Sequence, residues 1–261
     1  RPGWIWTAVD GQTIPADLPL AQWDRQLRLN DKCQSRQLMR LDFIDAEDHP
    51  QQIEASCRVL SERPVTEARK LPGGVSYFRF DSFGLLEGNW FAAELPKQGL
   101  RAPVVVDLRQ NPGGRQSVVM RLLGLFFSQD RSIGTSFTRK GGAREWRVRG
   151  ADTKAHSGKL AVLIDAGSAS ASEIFAAAVQ ESGRGRVFGR KSAGGVLVSL
   201  RRPLPDGGEL SVSVYDYVTA RGRRLEGQGV TPDQPVAPSL PDLRQNRDTV
   251  LEEALEWIRS N

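Results

Sequence analysis

The sequence predicts an α/β fold, with a mostly β region over residues 1–66 followed by an alternating strand and helix core. Three observations carry this. Ala102–Leu108 centres on three consecutive valines, the pattern of a strand buried on both faces. Gln116–Phe127 sets Val118, Val119, Leu122, Leu123, Leu125, Phe126 and Phe127 at the spacing of a helix packed on a sheet. Leu160–Ile164 is a second buried strand, and it leads through small residues into an alanine-rich helix from about Ser172 to Ser182, closed by Gly183.

In chain order, Ile5 to Val9 is a short strand ended by an Asp10-Gly11 turn, and Leu18 to Leu29 reads as helical. Gln37–Ile44 and Gln52–Leu60 read as strands around an acidic turn that contains His49 and Pro50. His49 is expected to be an exposed turn residue. From Gly73 the pattern changes. Gly74–Phe80 alternates as a strand, and Glu87–Glu94 is weakly helical. After the two buried strands, Arg186–Gly189 is a third. Val196–Arg202 and Glu209–Thr219 form a hairpin around Pro205 to Gly208. Residues Arg247 to Arg259 form an amphipathic terminal helix, with Val250, Leu251, Leu255 and Ile258 on its apolar side.

Composition narrows the function classes. The 36 Lys and Arg residues against 31 Asp and Glu give a net charge of +5, but the basic residues are scattered and interleaved with acids. A solvated basic surface is the better reading than a nucleic-acid groove. No apolar run approaches the roughly 20 residues of a membrane span. Cys33 and Cys57, with only His49 and His156, lack the spacing of a structural zinc site; they are either one disulfide or two small buried hydrophobes. The first residues do not form a signal peptide.

Two strand-to-helix junctions break the ordinary pattern. The first is Asp107-Leu-Arg-Gln-Asn-Pro-Gly-Gly114, whose glycines let backbone N–H groups face an anion or a developing oxyanion. The second is Gly167-Ser-Ala-Ser-Ala-Ser-Glu-Ile174, which sets Ser170 at a helix N-terminus, where the dipole favours its alkoxide. Read alone, the first is equally a tight turn, and Ser170 with Glu173 is equally a capping box.

Together, and with Gly189-Arg-Lys-Ser-Ala-Gly-Gly195 and Leu225-Glu-Gly-Gln-Gly-Val-Thr-Pro-Asp233 following in order, these segments resemble the C-terminal processing peptidases, or tail-specific proteases. The segment from Arg1 to Gly11 resembles part of that family's PDZ domain, with Trp4 at the place of its usual aspartate, so the chain is expected to begin inside that domain. The resemblance implies a crotonase/ClpP-like ββα spiral core over residues 67–246, a partial, mostly β PDZ-like domain over 1–66, and a C-terminal helix over 247–261. It implies a serine endopeptidase that cleaves extended or unfolded polypeptides, needs no metal or organic cofactor, and works in an extracytoplasmic compartment, periplasmic or secreted. Ser170 would be the nucleophile, with oxyanion donors on Ala171 and on Gly113 or Gly114.

The general base is the departure. The lysine of the family's Ser-Lys branch falls at Gly195. Three alternatives stand. The preferred one follows the tricorn-like Ser-His-Glu branch, with Glu226 as the triad glutamate and a histidine upstream of residue 1. In the second, Lys191 supplies the amine. The third is a catalytically silent peptide-binding protein. His156 is expected at the start of the strand whose end carries Ser170, in a structural role. Ser192 is expected near Ser170, Glu173 and Glu181 in capping and salt-bridge roles, and the strands holding Leu197, Ser199, Val212 and Val214 as an edge for an extended peptide.

Overall fold

The structure, a computed structural model, describes residues 3–14, 38–56, 64–205 and 207–260. The chain divides into two compact units, residues 1–63 with 238–249 and residues 64–237 with 250–261.

The first unit holds one antiparallel sheet of β1 (Ile5–Val9), β2 (Gln12–Thr13), β3 (Leu38–Ile44) and β4 (Pro50–Ser56), in the order β2-β1-β3-β4. Asp10 and Gly11 both take positive φ, 49° and 80°, which is the tight turn an Asp-Gly pair favours between paired strands. β4 starts at Pro50, two residues before the expected strand; as an edge strand it loses nothing by lacking that N–H. The core here is small, Val9 and Ile14 against Trp6 and Leu41. A short helix over Leu240–Arg244 belongs to this unit, and the Arg244 guanidinium pairs with Asp48 at 2.5 Å. The expected helix over 18–29, Cys33, Cys57 and the last residues of the expected strand 52–60 lie outside the described residues.

The second unit runs β5 (Thr66–Lys70), β6 (Ser76–Phe80), α1 (Leu85–Glu94), β7 (Val104–Asp107), α2 (Gln116–Gly124), β8 (Arg131–Thr138) and β9 (Ala143–Val148). It continues with β10 (Leu160–Ile164), α3 (Ala171–Glu181), β11 (Arg186–Gly189), β12 (Val198–Pro203), β13 (Glu209–Thr219), β14 (Gln234–Pro235) and α4 (Thr249–Arg259). Six strands form a sheet in the order β14-β11-β10-β7-β6-β5, parallel throughout except for β5.

The valine run explains why this sheet is central. Val104 and Val106, with Leu160, Val162 and Ile164, pack into the core under α1, α2 and α3. Val105, Ala161 and Leu163 pack on the other face with Val250, Leu251, Ala254 and Ile258 of α4. Each buried Val, Leu or Ile contributes about 1.5–3 kcal/mol, so a strand sandwiched between two apolar layers has no solvated face to alternate toward. The α/β reading is borne out.

Strands β8, β9, β12 and β13 form a separate antiparallel sheet in the order β12-β13-β8-β9. β8 and β9 were not anticipated in the sequence. They carry Arg131, Arg144 and Arg147 on exposed positions, and only Ile133, Trp146 and Val148 reach the core. The expected helix over 116–127 stops at Gly124, where a Cβ would lie 2.5 Å from the Arg149 carbonyl oxygen. Leu125, Phe126 and Phe127 pack from the turn that follows.

Candidate active site

Strands β7 and β10 run parallel in register, Asp107 opposite Leu163, so the two junctions leave the same edge of the sheet side by side. Polar side chains then tie one to the other. The Gln110 backbone N–H and its side-chain amide donate to the two oxygens of Asp165 at 2.9 and 2.7 Å. The Ser168 hydroxyl donates to the Leu108 carbonyl at 2.8 Å, and the Ser172 hydroxyl to the Asn111 carbonyl at 2.9 Å. Asn111 is fully buried; its amide donates to the Phe80 carbonyl at 2.8 Å and its oxygen accepts from the Gly113 N–H at 2.9 Å. The sequence marks Asn111 only as a turn residue before proline. Its use as the hub between the two junctions is visible only in the fold.

The three serines therefore have different fates. Ser168 and Ser172 are fully buried, and their hydroxyls are spent on backbone carbonyls. Ser170 is half-buried, and its hydroxyl lies toward the Glu173 amide without completing a capping hydrogen bond. Its φ of 53° with ψ of −114° is a conformation that L residues avoid, at a cost of about 1–3 kcal/mol. Gly113, at φ 101°, lies against it: a Cβ there would sit 2.7 Å from the Ser170 Cβ and 2.8 Å from the Ala171 nitrogen. Gly114 makes the same close approach to Phe83, at 2.7 Å. The Gly113 N–H is taken by Asn111, whereas neither the Gly114 nor the Ala171 N–H has an acceptor among the described residues. Ala171 opens α3, so its N–H sits at the positive end of that helix.

The loop over 192–197 is joined to the Ser170 junction through Ser168 and Glu173, and all six of its backbone N–H groups are bonded. Ser192 donates to the Val230 carbonyl and Ala193 to the Ser168 carbonyl, at 3.2 and 3.0 Å. Gly194 and Gly195 donate to the two oxygens of Glu173, at 2.7 and 2.9 Å. Val196 and Leu197 both donate to Oε2 of Glu226, at 2.8 and 3.1 Å. The Gly195 and Ser170 nitrogens each lie 2.9 Å from the same Glu173 oxygen, so they are within twice that distance of each other. Position 195 is thus beside Ser170, with open space at its Cβ.

The other candidates divide cleanly. Ser192 is buried and donates to Glu173 at 2.6 Å. Glu173 is fully buried and has hydrogen bonds from neutral groups instead of the expected salt bridge, because its partners are backbone amides and a serine hydroxyl. Glu181 pairs with Arg223 at 3.3 Å, as its charge suggests. Lys191 is exposed, whereas a lysine base near neutral pH requires a desolvated amine. His49 is an exposed residue at the turn before β4. His156 is 2% exposed at the opposite end of β10: Nε2 donates to the Ala102 carbonyl at 2.8 Å, and Nδ1 accepts from Arg184 at 3.2 Å. Desolvation, with the Arg184 charge adding to it, lowers its pKa from 6.5 to about 4. It is a neutral structural histidine.

The chain resembles known proteases in sequence and in fold. Residues 74–236 match the sequence profile of peptidase family S41. The chain is 31% identical over 176 residues to a probable CtpA-like serine protease of Staphylococcus haemolyticus, covering 62% of this chain and 35% of that protein. It is also 31% identical over 162 residues to a carboxy-terminal-processing protease of Bartonella bacilliformis, covering 62% and 37%. The chain therefore spans little more than a third of the length of these curated relatives. Among solved structures, photosystem II D1 C-terminal processing protease superposes with a TM-score of 0.63 at 22% identity, over 94% of this chain and 67% of that one. Mature CPAF complexed with lactacystin gives a TM-score of 0.72 at 11% identity, over 99% and 77%. Those likenesses bear out the expected fold, and the profile match, which covers more than half of the chain, makes it a member of peptidase family S41.

Proposed function

We propose that these residues form the catalytic core of a serine endopeptidase of the C-terminal processing type, cleaving extended polypeptides through an acyl-enzyme on Ser170. The observation that carries the reading is Ser170 itself: a strained serine at a helix N-terminus, packed on Gly113, beside two N–H groups without acceptors among the described residues. Its Oγ attacks the scissile carbonyl, and the oxyanion is received by the N–H groups of Ala171 and Gly114 in the field of α3. The Ser170 proton passes to an imidazole, which returns it to the leaving amine; water then hydrolyses the ester by the same proton path.

That imidazole comes from outside these 261 residues, because His156 is engaged at the far end of β10 and His49 sits in an exposed turn of the first unit. Glu226 orients it through Oε1, since Oε2 already receives Val196 and Leu197. The first unit is read as part of a PDZ domain, and an extracytoplasmic setting goes with the family resemblance. The edge strand β12, which leaves the 192–197 loop, offers unpaired backbone to an extended substrate.

Labelling of the full-length protein by a fluorophosphonate tests this. Modification at Ser170, absent in Ser170→Ala, is the expected result. A full-length protein that stays unlabelled while folded overturns the reading.

A further inference from the structure

Glu173 does more than cap a helix. Its side chain is fully buried, and both oxygens are saturated by two donors each. Oε1 accepts from the Ser192 hydroxyl at 2.6 Å and the Gly194 N–H at 2.7 Å. Oε2 accepts from the N–H groups of Ser170 and Gly195, both at 2.9 Å. One carboxylate thus joins the backbone of the strained serine to the 192–197 loop. An ordinary capping box needs only the Ser170 contact, so three of the four bonds are left without a role in helix capping.

We propose that Glu173 is a positioning residue for Ser170, resting on the reading of Ser170 as nucleophile. The unfavourable φ of Ser170 persists only if its surroundings over-determine it. Its N–H is held by Glu173, and its carbonyl accepts from the Ile174 N–H at 3.0 Å. Because Oε2 also holds Gly195, the serine and the loop cannot move independently without breaking a buried bond. The device fixes where the hydroxyl sits relative to the N–H groups of Ala171 and Gly114. Position 173 lies in the first turn of α3, where the helix dipole favours a carboxylate.

Glu173→Gln is the sharp test, because an amide of the same shape has one acceptor oxygen where the carboxylate has two. Whichever way it is turned, its NH2 faces either Ser170 and Gly195 or Ser192 and Gly194, and that pair of donors loses its acceptor. The measurement is the fluorophosphonate labelling of Ser170 in the full-length protein, with the first-order constant at saturating probe separated from the probe's binding constant. The first-order constant belongs to each folded molecule, so a merely less stable variant leaves it unchanged. The expected result is a fall of about 10- to 100-fold in that constant, the scale of a misplaced reacting group, with probe binding within about twofold. Amide hydrogen exchange over 192–197 should quicken alongside it.

Should Glu173→Gln fail to fold, Ser192→Ala removes one of the four donors, and it should lower the same constant by a smaller factor. An unchanged first-order constant, in Glu173→Gln or in a folded Ser192→Ala used in its place, overturns the positioning role while leaving the serine reading intact. A wild-type protein that does not label overturns both.

Discussion

At its N-terminal end, strand β10 begins beside His156, and at its C-terminal end it hands over to Ser170; the two ends are built from different materials. The His156 end has what a search for chemistry ordinarily seeks. It has a buried histidine with a strongly lowered pKa, a half-buried arginine, and an open cavity of about 530 Å³ lined by residues including Arg101, Phe126, Asp152 and Ser157. Yet the imidazole and the guanidinium are both satisfied: Arg184 donates to the carbonyls of Phe126, His156 and Gly158 as well as to the imidazole, which itself donates to Ala102. The Ser170 end offers backbone instead, a strained φ, two close-packed glycines and two N–H groups without acceptors among the described residues. A perturbed pKa marks desolvation, and desolvation serves structure as readily as catalysis. Backbone donors left open beside a strained serine are the feature on which the proposed reading of Ser170 rests.

The comparison can be broken in four ways. Ser170→Ala and Glu226→Gln in the full-length protein should each lower peptide cleavage by about 10³- to 10⁴-fold. Both should keep their melting temperature, since a glutamine at 226 still offers an oxygen to Val196 and Leu197. Normal turnover in Glu226→Gln removes the glutamate from the proton path.

Gly113→Ala comes next. Its Cβ would meet the Ala169 carbonyl oxygen, the Ser170 Cβ and the Ala171 nitrogen at 2.7–2.8 Å, so a fall in labelling rate of about 10²- to 10³-fold is expected, with a loss of about 1–3 kcal/mol in stability read by denaturant melts. Full activity in that variant dissolves the claim that the serine is set by this contact.

His156→Ala should do the opposite. It should cost about 2–4 kcal/mol by emptying a packed site and stranding the Ala102 carbonyl, while the Ser170 labelling constant stays within about twofold. The pH dependence has a definite sign. The folded pKa is depressed from 6.5 to about 4, so the unfolded chain takes up the proton first. Stability from this group is complete above pH 6.5 and is lost progressively as the pH falls from 6.5 to about 4, on the order of 3 kcal/mol in all. Denaturant midpoints of wild type and His156→Ala measured across that window should converge toward the acid side. Parallel curves sink the assignment.

The smallest effects belong to Gly195→Ala and Lys191→Ala. A Cβ at residue 195 would meet no atom within 4 Å, the φ there is not left-handed, and Lys191 is exposed. Each should change stability by less than about 1 kcal/mol, and Lys191→Ala should leave cleavage within about twofold. A large loss in Lys191→Ala would revive the amine as base.

Much of this was legible in the chain itself. The valine run and the apolar Leu160–Ile164 announce a sheet covered on both faces, because only burial on both sides tolerates strands without polar alternation. The Asp-Gly and Gly-Gly pairs mark turns through local backbone freedom, and Ser170 with Glu173 signals a helix start through a spacing of three residues. The strands Arg131–Thr138 and Ala143–Val148 are not legible because few of their residues are inward-facing and apolar; the first is mostly Ser, Thr and Gly and the second is charged on its outward face, so no apolar periodicity stands out.

Local sequence therefore determined the strands and helices of the central sheet, their order, and which serine stands at a helix N-terminus. Tertiary structure alone decided which donors remain unspent. That Asn111 takes the Gly113 N–H, that Glu173 bridges Ser170 to Gly195, and that Glu226 gives one oxygen to Val196 and Leu197 are contacts that the fold, not the local chain, arranges around one serine. They come together only once parallel pairing of β7 and β10 brings the two junctions to one edge, and hydrogen bonds between distant segments leave no periodicity or spacing in the sequence from which to read them.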